Sequence, residues 1–218
     1  MKKITAIEPQ KNNPDRVSIY TDGEFAFGLA RIVAAWLKVG DMLDEAKIAR
    51  LQAEDARERA YQQAMLFLSY RARSEAEIRR NLRKHETPEP VIEETLQRLR
   101  QARLADDREF ARAWVENRAA FRPRGRSALA MELRQKGLPD EIARTALEAV
   151  NEETLAYEAA RKRAARLDAL EWNDFRRKLS GFLGRRGFPY DVTASTVRRV
   201  WNEMHAGKEQ SVEDEESI

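Results

Sequence analysis

The chain of 218 residues contains no cysteine and only two histidines. Without cysteine it can form neither disulfide bonds nor thiolate metal sites, which fits a reducing compartment. A Ser-His-Asp triad would have to use His85 or His205. We interpret both as surface residues, because His85 lies among basic residues and His205 lies near the C-terminus. No P-loop or GxGxxG motif follows a predicted strand, so we expect a protein that is not an enzyme and uses no cofactor or metal.

Long apolar runs are absent as well. No stretch approaches the roughly 18 consecutive apolar residues that a membrane-spanning helix needs. The N-terminal sequence MKKITAIEPQ has two lysines, but it reaches Glu8 and Pro9 where a signal peptide would have its apolar core. These features predict a soluble cytoplasmic protein with no membrane partner.

Charge is abundant, since charged residues make up 35% of the chain against about a quarter in an average domain. So high a fraction favours a large surface relative to the core, as in an elongated array of helices. The net charge is only +3, but residues 209–218 contain five acidic residues and no basic residue. We predict an acidic, disordered tail at 209–218 and a basic body before it.

The N-terminal region is rich in β-branched residues. It predicts strands at residues 3–8, 16–21 and 24–28, and the dipeptide Asp22-Gly23 is typical of a two-residue hairpin turn. A small antiparallel sheet of this kind needs an apolar cover.

The segment LARIVAAWLKVG that follows has helical spacing of apolar residues and ends at Gly40. It predicts a helix that covers the sheet with Ile32, Val33, Trp36 and Leu37. Trp36 is also one of four tryptophans that we interpret as core residues; the others are Trp114, Trp172 and Trp201.

From Asp44 onward the apolar residues have helical spacing. One pattern of residues, which we call the repeated skeleton, occurs three times at intervals of about fifty residues. The copies are anchored at Leu82, Leu133 and Leu183. Each anchor has an apolar residue four positions earlier, a proline six positions later and aliphatic residues nine, fourteen and seventeen positions later. The earlier residues are Ile78, Leu129 and Leu179, and the later ones are Val91, Leu96 and Leu99, then Ile142, Leu147 and Val150, then Val192, Val197 and Val200.

The prolines predict where the second helix of each copy begins, because proline is tolerated at the first helical position. They are Pro88, Pro139 and Pro189. Gly137 and Gly187 lie two residues earlier, where a helix that has just ended often needs a positive φ. Glu86 replaces that glycine in the first copy, so we expect a different turn there.

A preceding amphipathic helix completes each unit, which makes three tandem three-helix repeats that form an elongated, curved solenoid. Ser74 with Glu77, and Asp106 with Glu109, are interpreted as helix caps. The predicted domains are an N-terminal sheet-and-helix extension at 1–57, repeats at 58–107, 108–153 and 154–208, and the tail at 209–218.

Basic residues are concentrated around the middle helix of each repeat. Arginine binds phosphate and carboxylate bidentately, so these three patches are candidate contacts to an anionic partner, although a solvated face of the array would have the same composition. The candidates are Arg71, Arg73, Arg79, Arg80, Arg83 and Lys84 in the first patch, Arg118, Arg122, Arg124, Arg126, Arg134 and Lys136 in the second, and Arg176, Arg177, Lys178, Arg185 and Arg186 in the third.

Several stretches resemble the RecX family, bacterial modulators of the RecA recombinase. They are AYQQAMLFLSYRARSEAEIRRNL, LADDREFARAWVENR, LAMELRQKGLP with the glycine before it, and ITAIEPQKNNPDRVSIYTDGEFAFGL at the N-terminus. The resemblance implies a non-enzymatic, regulatory protein that binds RecA filaments on single-stranded DNA and restrains ATP hydrolysis, strand exchange and co-protease activity in the SOS response. We expect it to act as a monomer, with weak direct binding to single- or double-stranded DNA.

Two other functions fit the same residues. A stand-alone DNA-binding helical-repeat protein would use the same bases without RecA, and its affinity would fall steeply with salt. A helical adaptor for another acidic protein would show neither DNA binding nor dependence on RecA.

Overall fold

The computed structural model describes the backbone of residues 1–215 and the side chains of residues 1–206. The predicted tail at 209–218 lies outside the described side chains and stays a prediction. The chain divides into two compact units, Met1–Ala105 and Asp106–Ile218, and each is described by itself. No helix in the described residues is long and apolar enough to cross a membrane.

The first unit begins with an antiparallel four-stranded sheet in the order β3-β2-β1-β4. Its strands are β1 (Lys2–Gln10), β2 (Asn13–Thr21), β3 (Glu24–Ala30) and β4 (Met42–Leu43). The predicted hairpin is confirmed: Asp22 and Gly23 both have positive φ, 52° and 92°, as a type I′ turn requires. The fourth strand was not predicted.

The predicted helix between β3 and β4 is wrong, because Leu29 and Ala30 belong to β3 and residues 31–36 form turns. Only two of the four residues predicted to cover the sheet do so. Val33 and Leu37 pack against the sheet core, whereas Ile32 is 66% exposed and Trp36 is 89% exposed. Trp36 is therefore not a core residue.

The cover of the sheet comes instead from helix α1 (Glu45–Ser69). Its first half places Leu51 in a core with Ile4, Ile19 and Leu29. Asp55, only 4% exposed, fixes the helix to the sheet: one carboxylate oxygen accepts a hydrogen bond from the amide nitrogen of Ala30 at 2.6 Å. The same carboxylate binds both terminal nitrogens of Arg16 at 3.1 Å each. Such a buried charge is stable because it is paired and hydrogen-bonded on several sides.

The second half of α1 belongs to the first three-helix repeat, which it forms with α2 (Glu75–Lys84) and α3 (Glu89–Gln101). Ala60 and Ala64 of α1 pack in the same core as Ile78, Leu82 and Leu96. The capping box at the start of α2 is confirmed, since Ser74 Oγ accepts from the Glu77 amide at 3.2 Å. The predicted domain boundary at residue 57 thus falls inside α1.

The second unit contains the other two repeats. The second consists of α4 (Asp107–Phe121), α5 (Arg126–Gln135) and α6 (Asp140–Glu148), and the third of α7 (Glu152–Ala164), α8 (Trp172–Gly184) and α9 (Tyr190–Glu215). Asp106 caps α4 as predicted, because its carboxylate accepts from the amides of Arg108 and Glu109 at 2.8 and 3.2 Å. Leu155 packs against the cores of both repeats.

The repeated skeleton is the core of each repeat. The three anchor leucines and the apolar residues four positions before them are completely buried, and the aliphatic residues fourteen and seventeen positions after them are at least 93% buried. Burying one such side chain contributes roughly 1.5–3 kcal/mol. The tandem three-helix architecture behind an N-terminal antiparallel sheet is confirmed.

The turns between the middle and last helices are alike in all three repeats. Gly137 and Gly187 both have a φ of 82°, and Glu86 takes a φ of 56° at the corresponding position. In each turn the amide of the residue five positions after the anchor leucine donates back to the anchor carbonyl, at 3.2, 3.1 and 3.3 Å. The expectation that Glu86 changes the turn is wrong, because the glutamate adopts the left-handed conformation instead.

Candidate partner-binding surface

The first predicted patch is largely neutralised by carboxylates of its own repeat. Arg79 on α2 forms ion pairs with Glu93 and, at 3.3 Å, with Glu89 of α3. Arg83 binds the same Glu89 at 2.5 Å. Hydrogen bonds from these arginines lower the pKa of both glutamates and raise the pKa of both arginines. These two arginines therefore link α2 to α3.

Other residues of this patch are also engaged. Arg71 forms a bidentate pair with Glu77, at 2.9 and 3.2 Å. The guanidinium of Arg73 lies 4.0 Å from the centre of the Phe67 ring, and burial, then the charge of Arg71, lower its pKa. Two cations are exposed and form no ion pair with a described residue, Arg80 and Lys84.

The second patch centres on one carboxylate. Glu132 of α5 accepts from Arg118 Nε at 2.7 Å and from Arg124 Nη1 at 3.0 Å. It also accepts from the indole nitrogen of Trp114 at 2.7 Å. Arg118 and Lys136 lie over the same indole, 4.2 and 4.8 Å from the ring centre. Trp114, predicted as core, is partly buried against it.

Two further arginines of this patch have structural contacts. Arg126 directs its guanidinium to the end of α6, where Nη2 donates to the carbonyl oxygen of Val150 at 2.7 Å, while its amide donates to Glu152 at 2.8 Å. A cation at a helix C-terminus is favourable because the last carbonyls have no intrahelical donor. Arg134 pairs with Asp140 at 2.7 Å.

The third patch is more open. Arg176 is exposed, 6.0 Å from the centre of the Trp172 ring, and Arg177 pairs with Asp174 one helical turn away at 2.8 Å. Trp172 and Trp201 are partly buried against the core of the repeat, as predicted. Two more cations are exposed and pair with no described residue, Lys178 and Arg185.

The structure brings part of the second and third patches together. Arg186, at the turn after α8, donates from Nη1 to the carbonyl oxygen of Pro123 at 2.9 Å and lies 4.4 Å over the Phe182 ring. Burial lowers the pKa of Arg186, and the positive charges of Arg124 and Arg122 lower it further. We call Arg122, Arg124 and Arg186 the arginine cluster. The charges of Arg122 and Arg124 disfavour the charge on Arg186, so an anion placed among them would be stabilised.

A close backbone contact between the second and third repeats holds the arginine cluster in place. The amide of Gly125 donates to the carbonyl oxygen of Arg186 at 2.9 Å, and Ser127 Oγ donates to the carbonyl oxygen of Gly187 at 2.8 Å. A Cβ atom on Gly125 would lie 2.1 Å from the oxygen of Gly187. Glycine is required there because the two segments of the chain touch through their backbones.

Sequence reasoning missed one cation near this cluster. Arg163 of α7 lies 5.8 Å from the centre of the same Phe182 ring that Arg186 covers. It lies in the last turn of α7 beside Arg161 and Lys162, where basic residues are common because they complement the helix dipole.

The two histidines have ordinary contacts. His85 Nε2 lies 3.2 Å from the side-chain nitrogen of Gln63, and His205 stacks on Trp201 with ring centres 3.8 Å apart. Among the described residues, no group of three or more histidine, aspartate or glutamate side chains could hold a metal ion.

Family models match four successive segments of the chain. They are the Regulatory protein RecX N-terminal domain at residues 2–44 and the first, second and third three-helix domains of RecX at 60–99, 106–147 and 151–195. Their order and bounds follow the sheet and the three repeats of the structure.

Curated relatives and solved structures agree with these matches. Regulatory protein RecX of Bacillus pumilus (strain SAFR-032) is 35% identical over 221 residues, which cover 99% of this chain and 82% of that protein. Its counterpart in Bacillus subtilis (strain 168) is 33% identical over 205 residues, 92% of this chain and 78% of that protein.

Among solved structures, a crystal structure of regulatory protein RecX is 31% identical with a TM-score of 0.69 and covers 88% of this chain and 97% of that chain. A crystal structure of RecX from Lactobacillus salivarius is 25% identical with a TM-score of 0.61 and covers 67% and 97%. The chain therefore belongs to the RecX family of regulatory proteins.

Proposed function

We propose that this protein binds RecA filaments on single-stranded DNA and inhibits their ATP hydrolysis, strand exchange and co-protease activity. It acts by binding, without a catalytic reaction of its own, as a cytoplasmic monomer. The family membership supports the regulatory role. The observation that carries a binding mechanism is the arginine cluster, in which the charges of Arg122 and Arg124 act on Arg186. Of these three arginines, only Arg124 forms an ion pair with Glu132.

The arginine cluster suits an acidic protein surface or a phosphate group of DNA. A planar guanidinium donates two parallel hydrogen bonds to a carboxylate or phosphate. An incoming anion also removes the mutual repulsion that lowers the pKa of Arg186. Because the Gly125–Arg186 contact fixes the relative position of the second and third repeats, little conformational freedom is lost when the anion binds.

Five exposed cations of the first and third patches pair with no described residue and, together with the arginine cluster, would provide further weak contacts: Arg80, Lys84, Arg176, Lys178 and Arg185. Linked contacts add as avidity when they are engaged at once. The ion-paired arginines of α2 are less suited to this, because a partner would have to displace Glu89 and Glu93.

The experiment is a titration of the protein into RecA that hydrolyses ATP on single-stranded DNA, with its affinity for the same DNA measured alone in the same salt. Inhibition at concentrations that scarcely bind free DNA supports a filament-directed regulator. Inhibition that only tracks DNA coverage supports the stand-alone DNA-binding protein. Absence of both effects supports an adaptor for another acidic partner.

A matched pair of variants tests the place of contact. Arg122→Glu and Arg112→Glu both reverse one exposed charge on or next to α4 and change the net charge equally. We expect R122E to weaken inhibition about tenfold, in line with the loss of a charge-assisted contact, and R112E to inhibit like the natural protein. Equal effects of both variants would exclude the arginine cluster as a specific contact.

A further inference from the structure

The second and third repeats have a groove at the same place, between the middle and last helices. The α5–α6 groove has a volume of about 600 Å³, and the α8–α9 groove about 780 Å³. Residues fifty positions apart in the repeat line both grooves, so the two can be compared residue by residue. The comparison shows that the third repeat has changed the chemistry of its groove.

The α5–α6 groove is balanced by its own charges. Arg134 from α5 crosses it to Asp140 at the start of α6, with the two side chains 2.7 Å apart. Arg126 is turned to the end of α6, where it binds the carbonyl oxygen of Val150. Acidic residues, among them Glu148, line the groove as often as basic ones.

At the corresponding positions the α8–α9 groove has lost this balance. Gly184 stands where the second repeat has Arg134, Tyr190 where it has Asp140, and Arg198 where it has Glu148. Asp174 is the one carboxylate among the described residues that line the groove, and it is paired with Arg177.

Two arginines on the rim are available to a ligand. Arg176 and Arg198 are exposed and form no ion pair within the part of the chain that the structure describes. The groove therefore carries a net positive charge, and it complements an anion.

The groove also offers an aromatic ring and a buried hydroxyl. Tyr190 is 87% exposed, although it begins a helix whose next turns are well packed. Trp172 lines the inner wall and is held by Trp201, with ring centres 5.3 Å apart. Thr193 is only 5% exposed, and its Oγ1 has no hydrogen-bond partner among the described residues. A buried hydroxyl without a hydrogen-bond partner is unfavourable, so a ligand that bonds it is favoured.

We propose that the α8–α9 groove binds nucleotides of a single-stranded nucleic acid. A base stacks on the exposed ring of Tyr190, the neighbouring phosphates bind Arg176 and Arg198, and the Thr193 hydroxyl bonds the edge of a base. An acidic peptide would use the arginines but has no planar base to stack on the ring of Tyr190, whereas a nucleotide uses the arginines and the ring together. This binding is direct and independent of RecA, so it can hold or fail separately from the proposed regulation.

The test is fluorescence anisotropy of a labelled oligothymidylate with the full-length protein at low salt and without RecA. Tyr190→Ala should weaken binding about tenfold, the loss expected for one base–aromatic stack. Tyr70→Ala is the matched control, because Tyr70 is also a highly exposed tyrosine, at 76%, and lies in the first unit. Since both rings are exposed, both variants should unfold at the temperature of the natural protein.

Two further measurements separate stacking from charge. A strand of the same length with abasic sites keeps the phosphates, and it should bind the natural protein and Y190A equally weakly. R176A combined with R198A should reduce the slope of log affinity against log salt by about one unit or slightly more. Equal affinity of the natural protein and Y190A for oligothymidylate would overturn the proposal, and so would binding of polyglutamate in preference to oligothymidylate.

Discussion

Replacing Gly125 by alanine should separate the second and third repeats. Gly125 has φ −71° and ψ 162°, which alanine adopts without strain, so the effect of the substitution is steric. The new Cβ atom would lie 2.1 and 2.4 Å from the carbonyl oxygen and carbon of Gly187 and 2.8 Å from the amide nitrogen of Phe188. Backbone atoms on both sides cannot turn away as a side chain would, so the two segments must move apart.

The magnitude follows from what that movement breaks. Three hydrogen bonds cross the contact: Gly125 N to Arg186 O at 2.9 Å, Ser127 Oγ to Gly187 O at 2.8 Å and Arg186 Nη1 to Pro123 O at 2.9 Å. At about 1 kcal/mol each, their loss costs about 3 kcal/mol, and strain at the contact is expected to add about 1 kcal/mol or more. The melting temperature of the second unit should fall by at least about 10 °C.

The assay is thermal unfolding followed by circular dichroism, with native-state hydrogen exchange to locate the change. Amides of the second and third repeats should lose protection, while those of α1–α3 keep it. Gly184→Ala is the control, because a Cβ atom at Gly184 has no neighbour within 4 Å and alanine favours helix by about 1 kcal/mol. A G125A protein that melts within about 2 °C of the natural protein would refute the steric reasoning.

Substitutions at three other features give further predictions. Glu86→Gly should raise the free energy of unfolding by about 0.5–1 kcal/mol in urea titrations, because it relieves a φ of 56°, and Gly137→Ala, at the same place in the second turn, should lower it. Asp55→Ala should destabilise the first unit by about 3 kcal/mol or more, measured by thermal unfolding, since it leaves a partly buried arginine and the Ala30 amide unpaired. The lowered pKa of Glu89 and Glu93 means that their pairs stabilise the fold above their unfolded pKa of about 4.3 and stop doing so as pH falls through the folded values. Replacing both by glutamine should make the free energy of unfolding fall less steeply as the pH is lowered. Because the change frees two arginines of α2, it should also raise the affinity for DNA. An unchanged dependence of the free energy of unfolding on pH would contradict this.

The repeated skeleton could be predicted because the spacing of its apolar residues follows directly from how the helices pack. Leu82, Leu133 and Leu183 are buried for the same reason in each copy, and proline and glycine mark the turns through fixed backbone preferences. The conformation of Glu86 could not be predicted from preference alone. Neighbouring helices impose the turn, and the cost of a left-handed glutamate is small beside their packing.

The segment after β3 shows where periodicity misleads. LARIVAAWLKVG has helical spacing, yet Leu29 and Ala30 pair with β2 and complete the sheet, and hydrogen bonds across strands outweigh a weak local preference. Residues 31–36, which follow directly, form turns. Trp36 is left exposed, which no local pattern indicates.

The basic patches were recognised by composition, but not their partners. Glu89 lies on the next helix and Asp140 at the start of another, so pairing with Arg83 and Arg134 depends on how the helices cross. The approach of Arg122 and Arg124 to Arg186 joins residues about sixty positions apart. Sequence gives the number of charges on a surface, while the fold decides which of them remain available.

Helix α1 is one continuous element that two cores share. Its 25 residues extend about 37 Å at 1.5 Å per residue; Leu51 and Asp55 fasten one end to the sheet, and Ala60 and Ala64 fasten the other to the first repeat. A helix without glycine or proline resists bending, since a kink breaks its hydrogen bonds. The sheet and the first repeat must therefore move together. A force that a partner applies to the sheet is transmitted through α1 to the first repeat.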